Sequence, residues 1–242
     1  MAQSEQKVYI YQRLRTQGVK PLYLARAIEE LETLSEMIFE RTITLNKEEL
    51  ERSIGDAILA QHLSQRSTHA VEVRVFPSQE VEIVVDNAIF LEPFPLRAIR
   101  PTAVPYILSN EMLLHPTSAR DALLDIYHAG AKLPSESTPM WIDHNNEIVA
   151  IEGASVVAVT DSEVIFSRFG RGVEFELAER AMAKTSHYTR RGEVLYDNIT
   201  LYKEVLYIDH RGVVALASIE GRALSNIIAE RIAKEVTKLE KL

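Results

Sequence analysis

Apolar and polar positions repeat with two different periods along the first part of the chain. Over residues 8–15 they alternate with period two, which predicts a strand closed by a turn. Over residues 22–39 apolar residues recur at helical spacing, which predicts an amphipathic helix. Asn46, with Glu49 three residues later, has the pattern of a capping box and marks the start of a second helix.

Two further strands are predicted at residues 70–76 and 81–85, so the first part of the chain forms one compact α+β unit. Residues 92–105 then contain four prolines: Pro93, Pro95, Pro101 and Pro105. This density predicts neither a helix nor a central strand, but a connection between domains. We therefore expect a smaller N-terminal α+β domain over residues 1–100 and a larger C-terminal α/β domain over residues 101–242.

The second domain alternates short apolar strands, turn residues and helices. A strand is predicted at residues 106–114, and hairpins are predicted to join residues 140–143 to 147–151, 156–159 to 164–167, and 205–208 to 213–217. Helices are predicted at residues 119–130, with Ala119, Ala122, Leu123, Ile126 and Tyr127 on one apolar face, and near residues 174–184, 199–202 and 228–239. Strands covered by helices are thus expected.

One stretch of this domain, EIVAIEGASVVAVTDSEVIFSRFGRGVEFELAERAMAK, has the pattern of a pocket. Glu152 lies between two apolar strands, so its carboxylate is expected at the edge of a buried sheet. Gly170 and Gly172 precede a helix, whose first N–H groups suit an anion. A carboxylate and a phosphate cradle together would suit a heterocyclic phosphate cofactor. An ordinary turn and an ordinary helix entry would give the same pattern.

Composition excludes several other classes of function. The net charge of −8 argues against nucleic-acid binding, and no apolar run has the length of a membrane helix. The first residues lack the apolar core of a secretion signal, so a cytoplasmic protein is expected. Without cysteine, thiolate catalysis and Cys-ligated zinc are excluded. The histidines lack metal-site spacing, and His144 and His210 are predicted as exposed turn residues, so no metal site is expected.

The order of these elements resembles the class IV aminotransferases, the pyridoxal-phosphate fold family that includes branched-chain and D-amino acid aminotransferases and aminodeoxychorismate lyase. The resemblance spans nearly the whole chain. It is carried by VYIYQRLR followed by PLYLARAIEELETLSEMI, the EGA turn at Glu152, FGRGVEFELAERA and KEVLYIDHRGVVAL. It implies a two-domain class IV fold, a small-molecule ligand, and a homodimer, because the family's site lies near a subunit interface.

The same resemblance implies roles for individual residues. Glu152 matches the glutamate that pairs with the cofactor's pyridine nitrogen, which keeps the ring protonated. Gly172 and Val173 match the loop that donates backbone N–H groups to the phosphate. Tyr9 matches an aromatic residue beside the cofactor, and His210 lies on a turn that gives another phosphate contact.

Three positions depart from the family pattern. The Schiff-base lysine is expected where this chain has MLLHPTSA from Met112, and neither His115 nor Thr117 supplies an amine. Glu30 stands where the family has a phosphate-binding arginine, and Glu174 where it has a threonine. Two carboxylates repel a phosphate dianion, so binding of pyridoxal phosphate is in question.

Three functions therefore remain open. The chain is a divergent relative without the Schiff-base lysine and without standard transaminase activity. Alternatively, it is an active pyridoxal-phosphate-dependent aminotransferase or lyase acting on a small amino acid, with its lysine elsewhere. As a third possibility, it is a non-enzymatic small-molecule binding protein.

Overall fold

The structure is a computed structural model that describes residues 8–64, 66–90, 94–107, 115–130 and 136–240. The described residues form two compact units. Unit 1 comes from Met1–Leu91 and His115–Asp125, and unit 2 comes from Glu92–Leu114 and Ile126–Leu242. Among the described residues, no helix combines the length and apolar composition that crossing a membrane requires.

Unit 1 is a four-stranded antiparallel sheet covered on one face by two helices. Its strands lie in the order β2-β1-β3-β4. Their bounds are β1 Ile10–Gln17, β2 Lys20–Pro21, β3 Thr68–Val75 and β4 Val81–Phe90, and the helices are α1 Leu24–Phe39 and α2 Lys47–Ala60. As predicted, the Asn46 side chain accepts a hydrogen bond from the Glu49 N–H at 3.1 Å and caps α2.

The other face of this sheet meets helix α3, Ser118–Gly130. The Tyr11 hydroxyl donates to Asp121 Oδ1 at 2.6 Å, and the N–H of Ser118 donates to the Tyr9 carbonyl at 2.9 Å. These bonds attach residues 115–125 to unit 1, although the predicted boundary lay near residue 100. Ile126, on the predicted apolar face of α3, is 66% exposed.

Unit 2 contains two five-stranded sheets and two helices. The first sheet has the order β14-β13-β5-β6-β7 and the second has the order β10-β9-β8-β11-β12. The bounds are β5 Thr102–Ile107, β6 Ser137–Ile142, β7 Ile148–Ile151, β8 Ser155–Val159, β9 Val164–Ser167, α4 Val173–Ala183, β10 Thr189–Gly192, β11 Glu204–Asp209, β12 Gly212–Ala215, β13 Ser218–Ile219, β14 Arg222–Ala223 and α5 Ile227–Glu240.

Alternating side chains of the second sheet bury two separate cores. Leu206 and Ile208 of β11 pack with Phe175 of α4 and Ile232 of α5. Tyr207, between them in sequence, packs on the opposite face with residues of both sheets, including Met140. Because both faces are covered, the strands are almost continuously apolar, as the sequence showed.

Two predictions for unit 2 are wrong. Residues 102–107 form β5, a central strand, despite Pro105. The proline is tolerated because β13 pairs only with Thr102 and Ala103, so beyond them β5 has a partner on one side alone. The short helix predicted near residues 199–202 is instead a 3₁₀ turn at Tyr196–Asn198, where the Tyr196 N–H donates to the Asn146 carbonyl at 2.8 Å.

Helix α5 begins on a buried carboxylate from β11. Glu204 is 2% exposed, and its oxygens accept hydrogen bonds from the N–H groups of Ile228 and Ala229 and from Ser225 Oγ, at 2.9–3.1 Å. These N–H groups have no partner within a helix, and the negative charge complements the helix dipole. Glu204 therefore ties the helix layer to the sheet.

We expect Glu204→Gln to lower the free energy of unfolding by about 1–3 kcal/mol, because the amide group would turn a donor toward the helix N–H groups. Urea unfolding followed by circular dichroism measures this change. Glu230→Gln is the matched control, since it removes an exposed carboxylate from the same helix turn. Equal changes for the two variants would contradict the capping role.

A second buried carboxylate lies beside the loop that leads to α4. Glu147 is 1% exposed, and its Oε2 lies 2.6 Å from Nη2 of Arg168. Neither oxygen has an aligned hydrogen bond from the described part of the chain. Burial raises the pKa of Glu147, although the nearby positive charge of Arg168 acts to lower it. The ionised form is therefore disfavoured by folding.

Because the folded protein binds this proton more tightly than the unfolded chain, stability falls as pH rises from 4.5 through the raised pKa. We expect Glu147→Gln to remove that fall and to leave the free energy of unfolding at pH 7 unchanged or higher. Arg168 would remain 45% exposed and paired with Glu193 at 3.1 Å, so no charge would be stranded.

Urea unfolding between pH 4.5 and 7 checks this expectation. Glu193→Gln is the control, since it removes the other, 55% exposed partner of Arg168. A loss of more than about 2 kcal/mol for Glu147→Gln at pH 7 would show that the buried pair is itself stabilising.

Candidate functional site

The chain passes from the first sheet of unit 2 to the second through a two-residue turn at Glu152 and Gly153. Ile151 and Ala154 exchange hydrogen bonds of 3.1 and 2.8 Å across it. The φ angles of Glu152 and Gly153 are 52° and 75°, the combination found in type I′ turns. A left-handed conformation costs a non-glycine residue about 1 kcal/mol. The turn thus holds a half-buried carboxylate where the two sheets meet.

Tyr207 supports that carboxylate from the core. Its side chain is fully buried, and its hydroxyl donates to Glu152 Oε2 at 3.0 Å. Burial raises the pKa of Tyr207 far above its ordinary value, and the nearby Glu152 charge raises it further. The phenol therefore stays a protonated donor. The sequence analysis missed Tyr207, although the alternation of β11 places it on the same face as Asp209.

The turn between β11 and β12 lies at the same end of the sheet, because Ile208 pairs with Ser155. Asp209 Oδ2 accepts hydrogen bonds from Nε and Nη2 of Arg211 at 2.9 and 2.7 Å, and Oδ1 accepts one from the Arg211 N–H at 2.7 Å. Burial raises the pKa of Asp209, but the charges of His210 and Arg211 lower it more, so the net shift is downward. His210, predicted as an exposed turn residue, is buried, with 8% exposure.

The glycine-bearing loop is attached to this end of the sheet by Ser155. Its Oγ donates to the Arg171 carbonyl and accepts from the Arg171 N–H, both at 2.9 Å. Gly172 then precedes α4 with φ 92° and, as a glycine, has no side chain that could cap this helix start. The first N–H groups of α4, from Val173 onward, can therefore receive an acceptor. Glu174, 8% exposed, adds a negative charge to the same turn.

The structure thus brings together four of the predicted site residues in unit 2: Glu152, Gly172, Val173 and His210. Tyr9 belongs to unit 1, where its ring packs edge-on against Phe76 at 5.6 Å and under the Arg74 guanidinium at 4.7 Å. His115, also in unit 1, is buried. The remainder of the family's lysine position, residues 112–114, lies outside the described residues.

The lysines described in unit 2 stand away from Glu152. The Lys203 N–H donates to the Val159 carbonyl, at the opposite end of β8 from Ser155. Lys184 follows the far end of α4. Lys234 and Lys238 are on α5, which covers the face of the sheet opposite to Tyr207. None of these four amines is therefore placed to act on a ligand beside Glu152.

The described side chains contain no group of three or more His, Asp or Glu residues that could hold a metal ion. The site offers the carboxylate of Glu152, the phenol of Tyr207 and the N–H groups at the start of α4. Two arginines, Arg171 and Arg211, lie in its turns.

No family model and no curated protein matches this chain in sequence. Solved structures do match in fold. A protein from Thermotoga maritima assigned as a branched-chain amino acid aminotransferase has a TM-score of 0.75 at 15% identity, covering 97% of this chain and 88% of that one. The pyridoxal-phosphate-bound form of a hypothetical aminotransferase from Mycobacterium tuberculosis has a TM-score of 0.74 at 10% identity, covering 100% and 92%.

A Legionella pneumophila protein assigned as a 4-amino-4-deoxychorismate lyase gives a TM-score of 0.73 at 10% identity, covering 96% of this chain and 90% of that one. These neighbours cover the chain almost entirely and share one architecture, which confirms the predicted fold class. The chain has the fold of the class IV aminotransferases.

Proposed function

We propose that this chain is a divergent class IV aminotransferase-like protein that binds pyridoxal phosphate, or a chemically related small molecule, without a covalent link and without standard transaminase activity. One observation carries the proposal. The carboxylate of Glu152 is held in place by Tyr207, whereas the four lysines described in the same unit stand elsewhere.

The residues of the Glu152 end would fit the two poles of such a ligand. Glu152 would accept a hydrogen bond from a protonated ring nitrogen, since Tyr207 occupies only one of its oxygens. The N–H groups at Gly172 and Val173 would face the phosphate. When bound in this fold family, the cofactor supplies an electron sink for amino-acid chemistry. Glu174 opposes a phosphate dianion at the helix start, which favours weak and reversible binding.

The competing function, an active aminotransferase or lyase, is favoured by the names of the structural neighbours. It requires a lysine amine at the ligand. Between residues 108 and 136 the sequence offers only Lys132, which lies outside the described residues. Non-enzymatic binding of another small molecule remains the third alternative, and the charge of Glu174 favours it.

Calorimetric titration of the purified protein with pyridoxal phosphate tests the proposal. We expect reversible binding that Glu152→Gln weakens about tenfold or more, since a hydrogen bond to a charged group is lost. Asp161→Asn should bind as the wild type does, because Asp161 is 84% exposed at the other end of β8.

An assay with branched-chain amino acids and 2-oxoglutarate completes the test. We expect no turnover above that of free cofactor. Turnover that Lys132→Ala abolishes would establish the active enzyme instead, and the absence of any binding would leave the third alternative.

Formation of a homodimer is a further part of this proposal and rests on the resemblance. Light scattering should give twice the chain mass of 27.4 kDa. A mass near that of one chain would contradict it.

A further inference from the structure

We infer that Arg97 is an anion-recognition residue of the Glu152 site, so that the ligand carries an oxyanion in addition to a donor for Glu152. The inference deepens the proposed function and rests on it for the identity of the ligand. It follows from three features of the segment before β5, which the sequence analysis interpreted only as a proline-rich connection.

The first feature is that the backbone around Arg97 is fixed against β12. The Arg97 N–H donates to the Val213 carbonyl at 2.9 Å, and the Val213 N–H donates to the Pro95 carbonyl at 3.0 Å. A side chain at Gly212 would collide with the Pro95 carbonyl, so only glycine permits this approach. Arg97 therefore extends from a rigid position beside the Asp209 turn.

The second feature is that the Arg97 guanidinium is incompletely satisfied. Its Nη1 is buried without a hydrogen bond from the described residues, and it lies 4.0 Å from Asp209 Oδ2. That oxygen already accepts two hydrogen bonds from Arg211. The carboxylate of Asp209 is thus committed to Arg211, and the guanidinium of Arg97, whose side chain is 23% exposed, can gain a partner from a ligand oxygen.

The third feature is location. Tyr207 and Asp209 lie on one face of β11, and Arg97 is hydrogen-bonded to Val213, which pairs with Ile208 between them. The cation and the Glu152 carboxylate therefore border the same end of the sheet. Arg97 offers an attractive partner for an anion, whereas Glu174 repels one at the start of α4.

This arrangement specifies a class of ligand. Such a ligand would present a hydrogen-bond donor, such as a protonated ring nitrogen, to Glu152. It would present a phosphate or carboxylate to Arg97. Both oxyanions match a guanidinium, so binding experiments must distinguish them.

Titration with three probes tests the inference: pyridoxal phosphate, 4-pyridoxate with a carboxylate, and pyridoxal with neither anion. We expect Arg97→Gln to weaken binding of the preferred anionic probe about 10- to 100-fold, while binding of pyridoxal changes less than about twofold. Arg97→Lys should retain part of the affinity. Arg231→Gln, which removes an exposed arginine on α5, is the matched control and should bind normally.

If Arg97→Gln lost equal affinity for the anionic probes and for pyridoxal, or lost none, the proposed role of Arg97 would be overturned. The ligand-free melting temperature of Arg97→Gln should stay close to that of the wild type, because the contact with Asp209 is long. If pyridoxal binding is lost in Glu152→Gln while Arg97→Gln binds all probes normally, the proposed function stands and this inference fails.

If the wild type binds none of the three probes, the proposed function fails and inorganic phosphate decides the inference. A rise in wild-type melting temperature with phosphate that Arg97→Gln lacks would support the anion site. No rise in the wild type would overturn it.

Discussion

The hydrogen bond between Tyr207 and Glu152 joins the two parts of unit 2 on which the site depends. Glu152 occupies the tight turn between the sheets, and Tyr207 comes from β11, an inner strand of the second sheet. A carboxylate in a left-handed turn is conformationally costly, and such strain concentrates at functional positions. Asparagine followed by glycine would form the same type of turn at a lower conformational cost. Binding of the proposed ligand would give this glutamate a role that the stability of the turn alone does not.

Polar groups surround this bond. The charged residues among them differ from the pattern that the family resemblance implies. The start of α4 carries Glu174, and the cations lie at the Asp209 turn instead. Within the described part of unit 2, the lysines are attached to the far ends of β8 and α4 or to the opposite face of the sheet. In the proposed site, none of these four amines is placed for covalent chemistry.

Much of the fold could be predicted from local patterns. Period-two alternation predicted β1, helical spacing predicted α1, and Asn46 marked the start of α2, because each signal lies within a few residues. The central position of β5 could not be predicted, since its tolerance of Pro105 depends on how short β13 is.

The site was predictable only in part for the same reason. Glu152 stood out because it lies between two apolar strands, and Gly172 stood out because it precedes a helix. Tyr207 and Arg97 did not, because their roles come from long-range pairing: 55 residues separate Tyr207 from Glu152, and Arg97 meets the turn at Asp209 only through β12. No local pattern contains that information.

The most direct measurement of the central claim is the intact mass of the protein after incubation with pyridoxal phosphate, reduction with borohydride and denaturation. We predict the mass of the unmodified chain, because the four lysines described in unit 2 stand away from Glu152. A mass increase of one reduced cofactor, mapped to a single lysine and absent from Glu152→Gln, would contradict it.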